Sequence, residues 1–155
     1  MQAAYLSLAP NTVILELDIT PGAKVAGGIV ALLDSNADNK ISADESQSFA
    51  RLVLGNVALT LDGAPATWVI TNVTLPAVDA LQSGNDILKI AATANRPESV
   101  GMHTLSYQNA YRPAKTLRMA NIFLQPGNNW TYEIMSQVHS DDGGALTVTF
   151  TTAQP

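Results

Sequence analysis

The sequence predicts a mainly β fold, an antiparallel β-sandwich of about seven or eight strands with a helix–loop–helix inserted after the first strand. Three observations carry this. Apolar and polar residues alternate with period 2 in short runs punctuated by Pro, Gly and Asn, as half-buried strands require. One segment, 21–55, instead repeats with helical spacing on both sides of a polar loop. The chain is 155 residues long and 46% hydrophobic but only 14% charged, which suits one domain (1–155) with one core.

The first strand is expected over 12–19, where Val13, Leu15, Leu17 and Ile19 alternate with Thr12, Ile14, Glu16 and Asp18. Thr20-Pro21 reads as an N-cap followed by Pro at the first helical position. Val25, Ile29, Leu32 and Leu33 then mark one helix face. Gly27-Gly28 within it costs about 1 kcal/mol per residue relative to Ala, so packing must hold this helix. In the second helix Phe49, Leu52 and Val53 form the apolar face, and Gly55 supplies the stop. The remaining strands fall within 56–151. Val57, Leu59 and Leu61 lead into the Asp62-Gly63 turn, a hairpin dipeptide. Further strands are expected over 68–73, 86–93, 102–109, 117–124, 130–138 and 145–151, the last two joined across Asp141-Asp142-Gly143-Gly144.

The loop between the helices carries the most specific chemistry. Residues 34–45 match the calcium pattern D-x-[DN]-x-[DN]-G-x5-E at every specified position except the Gly, where Asn39 stands. Asp34, Asn36 and Asp38 offer side-chain oxygens at loop positions 1, 3 and 5. The Lys40 carbonyl serves position 7, Ser42 position 9 through a water, and Glu45 position 12 with both oxygens. Position 6 needs a positive φ, and Asn adopts one more readily than most residues. Ile41 at position 8 is apolar, as an anchor to a neighbouring surface should be. Ser42 and Glu45 also have the spacing of a capping box, so a plain polar loop and cap would account for those two without an ion. It would not account for the oxygens at positions 1, 3 and 5 together with Ile41. Helix, twelve-residue loop, helix is the EF-hand arrangement, present here in one copy.

Composition narrows the partners. The formal net charge is −5, and eight Lys and Arg scattered singly make no basic stripe, which argues against nucleic acid. No apolar run is long enough to cross a bilayer as a helix, and no signal-peptide pattern opens the sequence. Without cysteine there is no disulfide, thiolate nucleophile or cysteine metal site. A loop with three acidic ligands fits the weak affinities of extracellular calcium modules, so an extracytoplasmic setting is expected.

Other chemistry is sparse. A transition-metal site from His103, His139 and Asp141 has no spacing that joins its members, and Asp141 and Asp142 are natural turn formers. No nucleophile elbow, phosphate loop or zinc-protease helix is present. Glu16, Asp18, Glu98 and Glu133 are the scattered acids any sandwich offers. Tyr107, Tyr111, Trp130 and Tyr132 can be a binding platform or, more simply, core and cross-strand pairs.

The order of features resembles a known group. The run Leu17-Asp18-Ile19-Thr20-Pro21-Gly22 precedes a helix ending in the acidic loop. Phe49-Ala50-Arg51, Leu59-Thr60-Leu61-Asp62-Gly63 and Gly101-Met102-His103-Thr104-Leu105-Ser106-Tyr107 follow in turn. This is similar to the extracytoplasmic N-terminal domain of bacterial membrane proteins resembling the HupE/UreJ (hydrogenase and urease accessory) family. The resemblance implies a β-rich exported domain, tethered to a membrane-embedded part. It also implies that the domain has been separated from a signal peptide and membrane segment, with Met1 added and Thr151-Thr152-Ala153-Gln154-Pro155 opening a linker. The expected function is a non-enzymatic, calcium-binding ectodomain with a structural Ca2+. The alternatives are a nickel or cobalt delivery module of a permease using His103 or His139, and a carbohydrate- or protein-binding module using exposed aromatics.

Overall fold

The alternation resolves into ten strands and three helices in the computed structural model, which describes residues 1–113 and 116–155. In chain order these are β1 (Gln2–Ala9), β2 (Thr12–Ile19), α1 (Ala23–Leu33), α2 (Ala43–Leu54), β3 (Val57–Leu61), β4 (Ala64–Ala66) and β5 (Trp68–Thr74). Then come α3 (Val78–Gln82), β6 (Leu88–Asn95), β7 (Gly101–Asn109), β8 (Arg118–Leu124), β9 (Thr131–His139) and β10 (Ala145–Ala153). Two five-stranded sheets form, ordered β5-β6-β2-β1-β8 and β4-β3-β7-β10-β9. The pairs are antiparallel except β1 with β8, which is parallel. The predicted sandwich is therefore the fold.

Two strands exceed the expected eight, and one changes the domain plan. The first strand is β1, not 12–19: Ala4, Leu6 and Leu8 point inward while Tyr5 and Ser7 face outward, and a turn at Pro10-Asn11 returns the chain into β2. Alanine among the inward positions mutes the alternation. Short β4 is the second addition, folded back across Asp62-Gly63, whose φ angles of 51° and 80° suit the tight hairpin turn.

Inward side chains of both sheets make one core, with Leu6, Leu15, Leu17 and Ile90 on one side and Leu59, Leu105, Val148 and Phe150 on the other. The helix pair covers this core where α2 packs on β5 and β3, one from each sheet. Phe49 meets Tyr111 edge-on there, with ring centroids 6.4 Å apart. The Trp68 indole N–H on β5 donates to the Val57 carbonyl on β3 at 3.0 Å, a direct link between the sheets.

The helices differ from expectation in detail. α1 starts at Ala23 behind an N-cap at Gly22, not at Pro21, and has no side-chain cap. It buries Ala26, Ile29 and Leu33, while Leu32 is exposed. In α2 Phe49, Ala50, Val53 and Leu54 are buried and Leu52 is exposed. The Gly22 N–H donates to the Gly84 carbonyl at 2.8 Å, so the start of α1 is held by the backbone that follows α3 rather than by Thr20.

Candidate metal centre

The end of α1 and the start of α2 deliver opposite ends of the acidic loop. Asp34 caps the C-terminus of α1 and is largely buried, its N–H donating to the Val30 carbonyl at 2.8 Å. Ser42 caps α2 with both halves of the capping box in place: its Oγ accepts the Glu45 N–H at 3.1 Å, and Glu45 Oε2 accepts the Ser42 N–H at 2.9 Å. Ile41 is half-buried and packs against the core, as the loop's position 8 requires.

Between these anchors the loop coils on its own carboxylates. Asp34 Oδ1 accepts the Asp38 N–H at 3.1 Å and Oδ2 accepts the Asn39 N–H at 2.9 Å. Asn36 Oδ1 accepts the Asp38 N–H at 3.2 Å, and Asp38 Oδ1 accepts the Lys40 N–H at 2.9 Å. Glu45 Oε1 closes the ring by accepting from the Ser35 hydroxyl at 3.2 Å and from the Asn36 N–H at 3.4 Å. Asn39 takes a φ of 62°, the left-handed conformation that position 6 calls for. Ala37 takes a φ of 58°, which sequence reasoning did not anticipate; Ala has no side-chain polar group to ease that conformation.

The result brings together three acids spread along the twelve-residue loop. One carboxylate oxygen each from Asp34, Asp38 and Glu45 lies within 4.8 Å of the others. Oxygens bound to one Ca2+ at about 2.3–2.6 Å can be no more than about 5.2 Å apart, so the trio meets the limit for a shared calcium. Among the described residues no Lys or Arg forms an ion pair with any of the three. The Glu45 carboxyl is held below the usual range chiefly by the Ser42 N–H, with Ser35 and Asn36 adding to it, while burial and the Asp38 charge push the other way. Asn36 stands between the acids, its Nδ2 donating to Asp38 Oδ2 at 3.4 Å.

The histidines do not form a second centre. His139 Nε2 lies 3.1 Å from the Ala120 carbonyl, bridging β9 to β8. His103 is opposite Phe150 on β10 whereas His139 is opposite Leu146, four residues or about 13 Å away along the strand. Asp142 belongs to the turn before β10, accepting from the Ser140 hydroxyl and the Gly144 N–H and pairing with Arg118 and Arg112. The aromatic platform disperses as well, since Tyr107 and Tyr111 are buried.

The structure assembles one cluster that sequence reasoning missed. Asp62 Oδ2 lies 2.7 Å from His103 Nδ1, and His103 Nε2 lies 3.3 Å from Ser99 Oγ, the order of a Ser–His–Asp relay. The same Nε2 is closer, at 2.8 Å, to the Ser99 carbonyl, which can only accept. Both ring nitrogens thus have an acceptor within reach, an arrangement that suits the protonated ring, which donates from both. Beside it Arg96 and Glu98 form a buried ion pair, with Arg96 also donating to the Ala9 carbonyl at 2.8 Å and to the Tyr132 hydroxyl at 3.1 Å. Burial and the hydrogen bond to Glu98 push the Tyr132 hydroxyl up to about 12. Asp62-Gly63 was legible as a turn, but nothing in the sequence placed it against His103, 41 residues on.

Comparison with family models, with curated proteins and with solved structures finds no match.

Proposed function

We propose that this chain is a non-enzymatic calcium-binding sandwich domain, with Ca2+ held by Asp34, Asn36, Asp38, the Lys40 carbonyl, Ser42 and Glu45. The observation that carries it is the convergence of Asp34, Asp38 and Glu45 within 4.8 Å without a compensating cation among the described residues. Three clustered negative charges repel one another, and a divalent cation at their centre converts that repulsion into attraction.

The ion is structural in this reading. Sensor EF-hands turn binding into a change of interhelical angle. Here α1 is fixed to the segment after α3 by the Gly22–Gly84 hydrogen bond, and α2 is packed through Phe49 on Tyr111, which leaves little room to swing. Calcium would then act as a clamp, stabilising by RT ln(1 + [L]/Kd), about 2.7 kcal/mol at a hundredfold excess over Kd. Three acidic ligands fit the ~10⁻⁴–10⁻³ M affinities of extracellular modules, which supports an extracytoplasmic domain, and likeness to the HupE/UreJ group supports a membrane-tethered one.

The test is calorimetric titration of the chelator-treated chain with calcium, magnesium and nickel, alongside melting curves. Calcium should bind with one site and raise Tm. Identical melting in calcium and in chelator would end the proposal, and tight nickel binding would favour metal delivery instead.

A further inference from the structure

We propose that His103 and Ser99 form a proton-operated latch on the cleft between the β6–β7 loop and the β3–β4 turn. The cleft holds about 240 Å³ and is lined by Leu61, Asp62, Arg96, Pro97, His103, Thr104 and Phe150. His103 points inward from β7 in phase with Leu105 and Tyr107, its ring against Phe150 with centroids 5.6 Å apart. When the ring is protonated, Nδ1 donates to Asp62 Oδ2 at 2.7 Å and Nε2 to the Ser99 carbonyl at 2.8 Å. One cation thereby ties the hairpin turn and the 96–100 loop to the same strand.

Losing the proton forces a choice between those two bonds. The carboxylate is the stronger acceptor, so the remaining proton stays on Nδ1. Nε2 then presents a lone pair to the Ser99 carbonyl, and two acceptors at 2.8 Å repel. The alternative partner is already at hand. Ser99 Oγ lies 3.3 Å from Nε2, and its O–H can donate to the bare nitrogen after a small rotation. The Ser99 carbonyl keeps a donor in either state, because Thr152 Oγ1 on β10 also bonds to it. Both states are fully hydrogen-bonded, which is what a two-position device needs. Exchanging carbonyl for hydroxyl releases the ring's hold on the Ser99 backbone, two residues from Pro97 in the cleft wall.

The surroundings of the ring set the balance between its two protonation states. From the β3–β4 turn comes Asp62, whose second oxygen accepts the Thr104 N–H at 2.8 Å. From the end of β6 comes Arg96, which opposes the imidazolium but is paired with Glu98, itself bonded to Tyr132 of β9. β10 contributes the uncharged Phe150 and Thr152. Burial works against the charged ring, yet the hydrogen bonds to Asp62 and Ser99 and the Asp62 charge outweigh it and raise the His103 pKa above its usual 6.5.

The test is a titration of the intact chain by NMR, following the ring nitrogens of His103 and the Ser99 and Val100 amides. The wild type should titrate above about 6.5, with the neutral ring protonated at Nδ1 and both amides following the same curve. Ser99→Ala removes the donor that serves only the neutral ring, so it should raise the pKa further. Asp62→Asn should lower it by about a unit or more. A pKa at or below the ordinary value, a neutral ring protonated at Nε2, or a Ser99→Ala variant with an unchanged pKa would each overturn the latch. Ser99 is exposed, so that variant keeps the test available even if Asp62→Asn unfolds.

Discussion

Ser42 and Glu45 hold each other reciprocally, Oγ to the Glu45 N–H at 3.1 Å and Oε2 to the Ser42 N–H at 2.9 Å. Glu45 is thus both the cap of α2 and the last acid of the loop, and the two roles can be separated. Glutamine at the third helical position sustains a capping box, but it brings no charge to an ion. Glu45→Gln should leave stability in chelator within about 0.5 kcal/mol of wild type and abolish most of the calcium-induced rise in Tm. Glu45→Ala should lose about 1 kcal/mol even in chelator, since the cap goes too. Paired thermal melts with and without calcium check this, and a Glu45→Gln variant that keeps its calcium response would make the residue a cap alone.

Ala37 offers a separate handle on the loop. Its φ of 58° costs about 1–2 kcal/mol for an L-residue with a Cβ, and Ala lacks the polar group that lets Asn39 tolerate 62° close by. Ala37→Gly removes that cost but loosens the unfolded chain by about 0.4–1 kcal/mol. The net expectation is a gain of about 0.5–1 kcal/mol in urea denaturation, and Ala37→Val should move the other way. If Ala37→Gly destabilises the protein, the loop does not hold the left-handed turn.

The site was more legible than the frame around it. The acids, Asn39 at the turn, Ile41 and the capping box are encoded at short range, because twelve consecutive residues supply every member of the cluster. The sandwich followed from alternation in β2, β6, β7 and β10. β1 escaped because Ala at inward positions carries little hydrophobic signal, and its parallel pairing with β8 joins residues more than a hundred positions apart, as Gln2 with Arg118. The helix faces drifted for a related reason: Leu32 and Leu52 fit the apolar period, but packing chose Ala26 and Ala50 instead. Ser99 is only four residues from His103, but Asp62 reaches the ring through the β3–β7 register, which no local pattern announces.

Gly84 should prove the least replaceable glycine in the frame that positions α1. It has a φ of 78°, and a Cβ there would sit 2.3 Å from the Gly22 carbonyl carbon and 2.5 Å from the Ala23 nitrogen, both of them backbone. Relief requires moving the start of α1 away from the segment after α3 and breaking the hydrogen bond from Gly22. Gly84→Ala should therefore cost about 2 kcal/mol or more, combining the left-handed penalty with the clash. Because α1 ends at Asp34, calcium affinity should fall with it. Chemical denaturation and calorimetry on one variant measure both, and unchanged affinity in a destabilised variant would show that α1 does not set the loop.

Asp18 supplies a test in pH. It shares the outer face of β2 with Glu16, two residues before it, and its pKa is raised by burial and by the Glu16 charge, against the pull of Lys89. A carboxyl whose folded pKa lies above its unfolded value stabilises the fold below the unfolded pKa and loses that contribution as pH rises through the folded one. Wild type should therefore carry a penalty at this position above about pH 4 that grows until Asp18 is fully ionised. Asp18→Asn cannot ionise and escapes it. In denaturant titrations the variant should gain stability relative to wild type as pH rises from about 4 to about 7, and the gap should level off once Asp18 is fully charged. A gap constant across that range would mean that Asp18 ionises as freely in the folded chain as in the unfolded one.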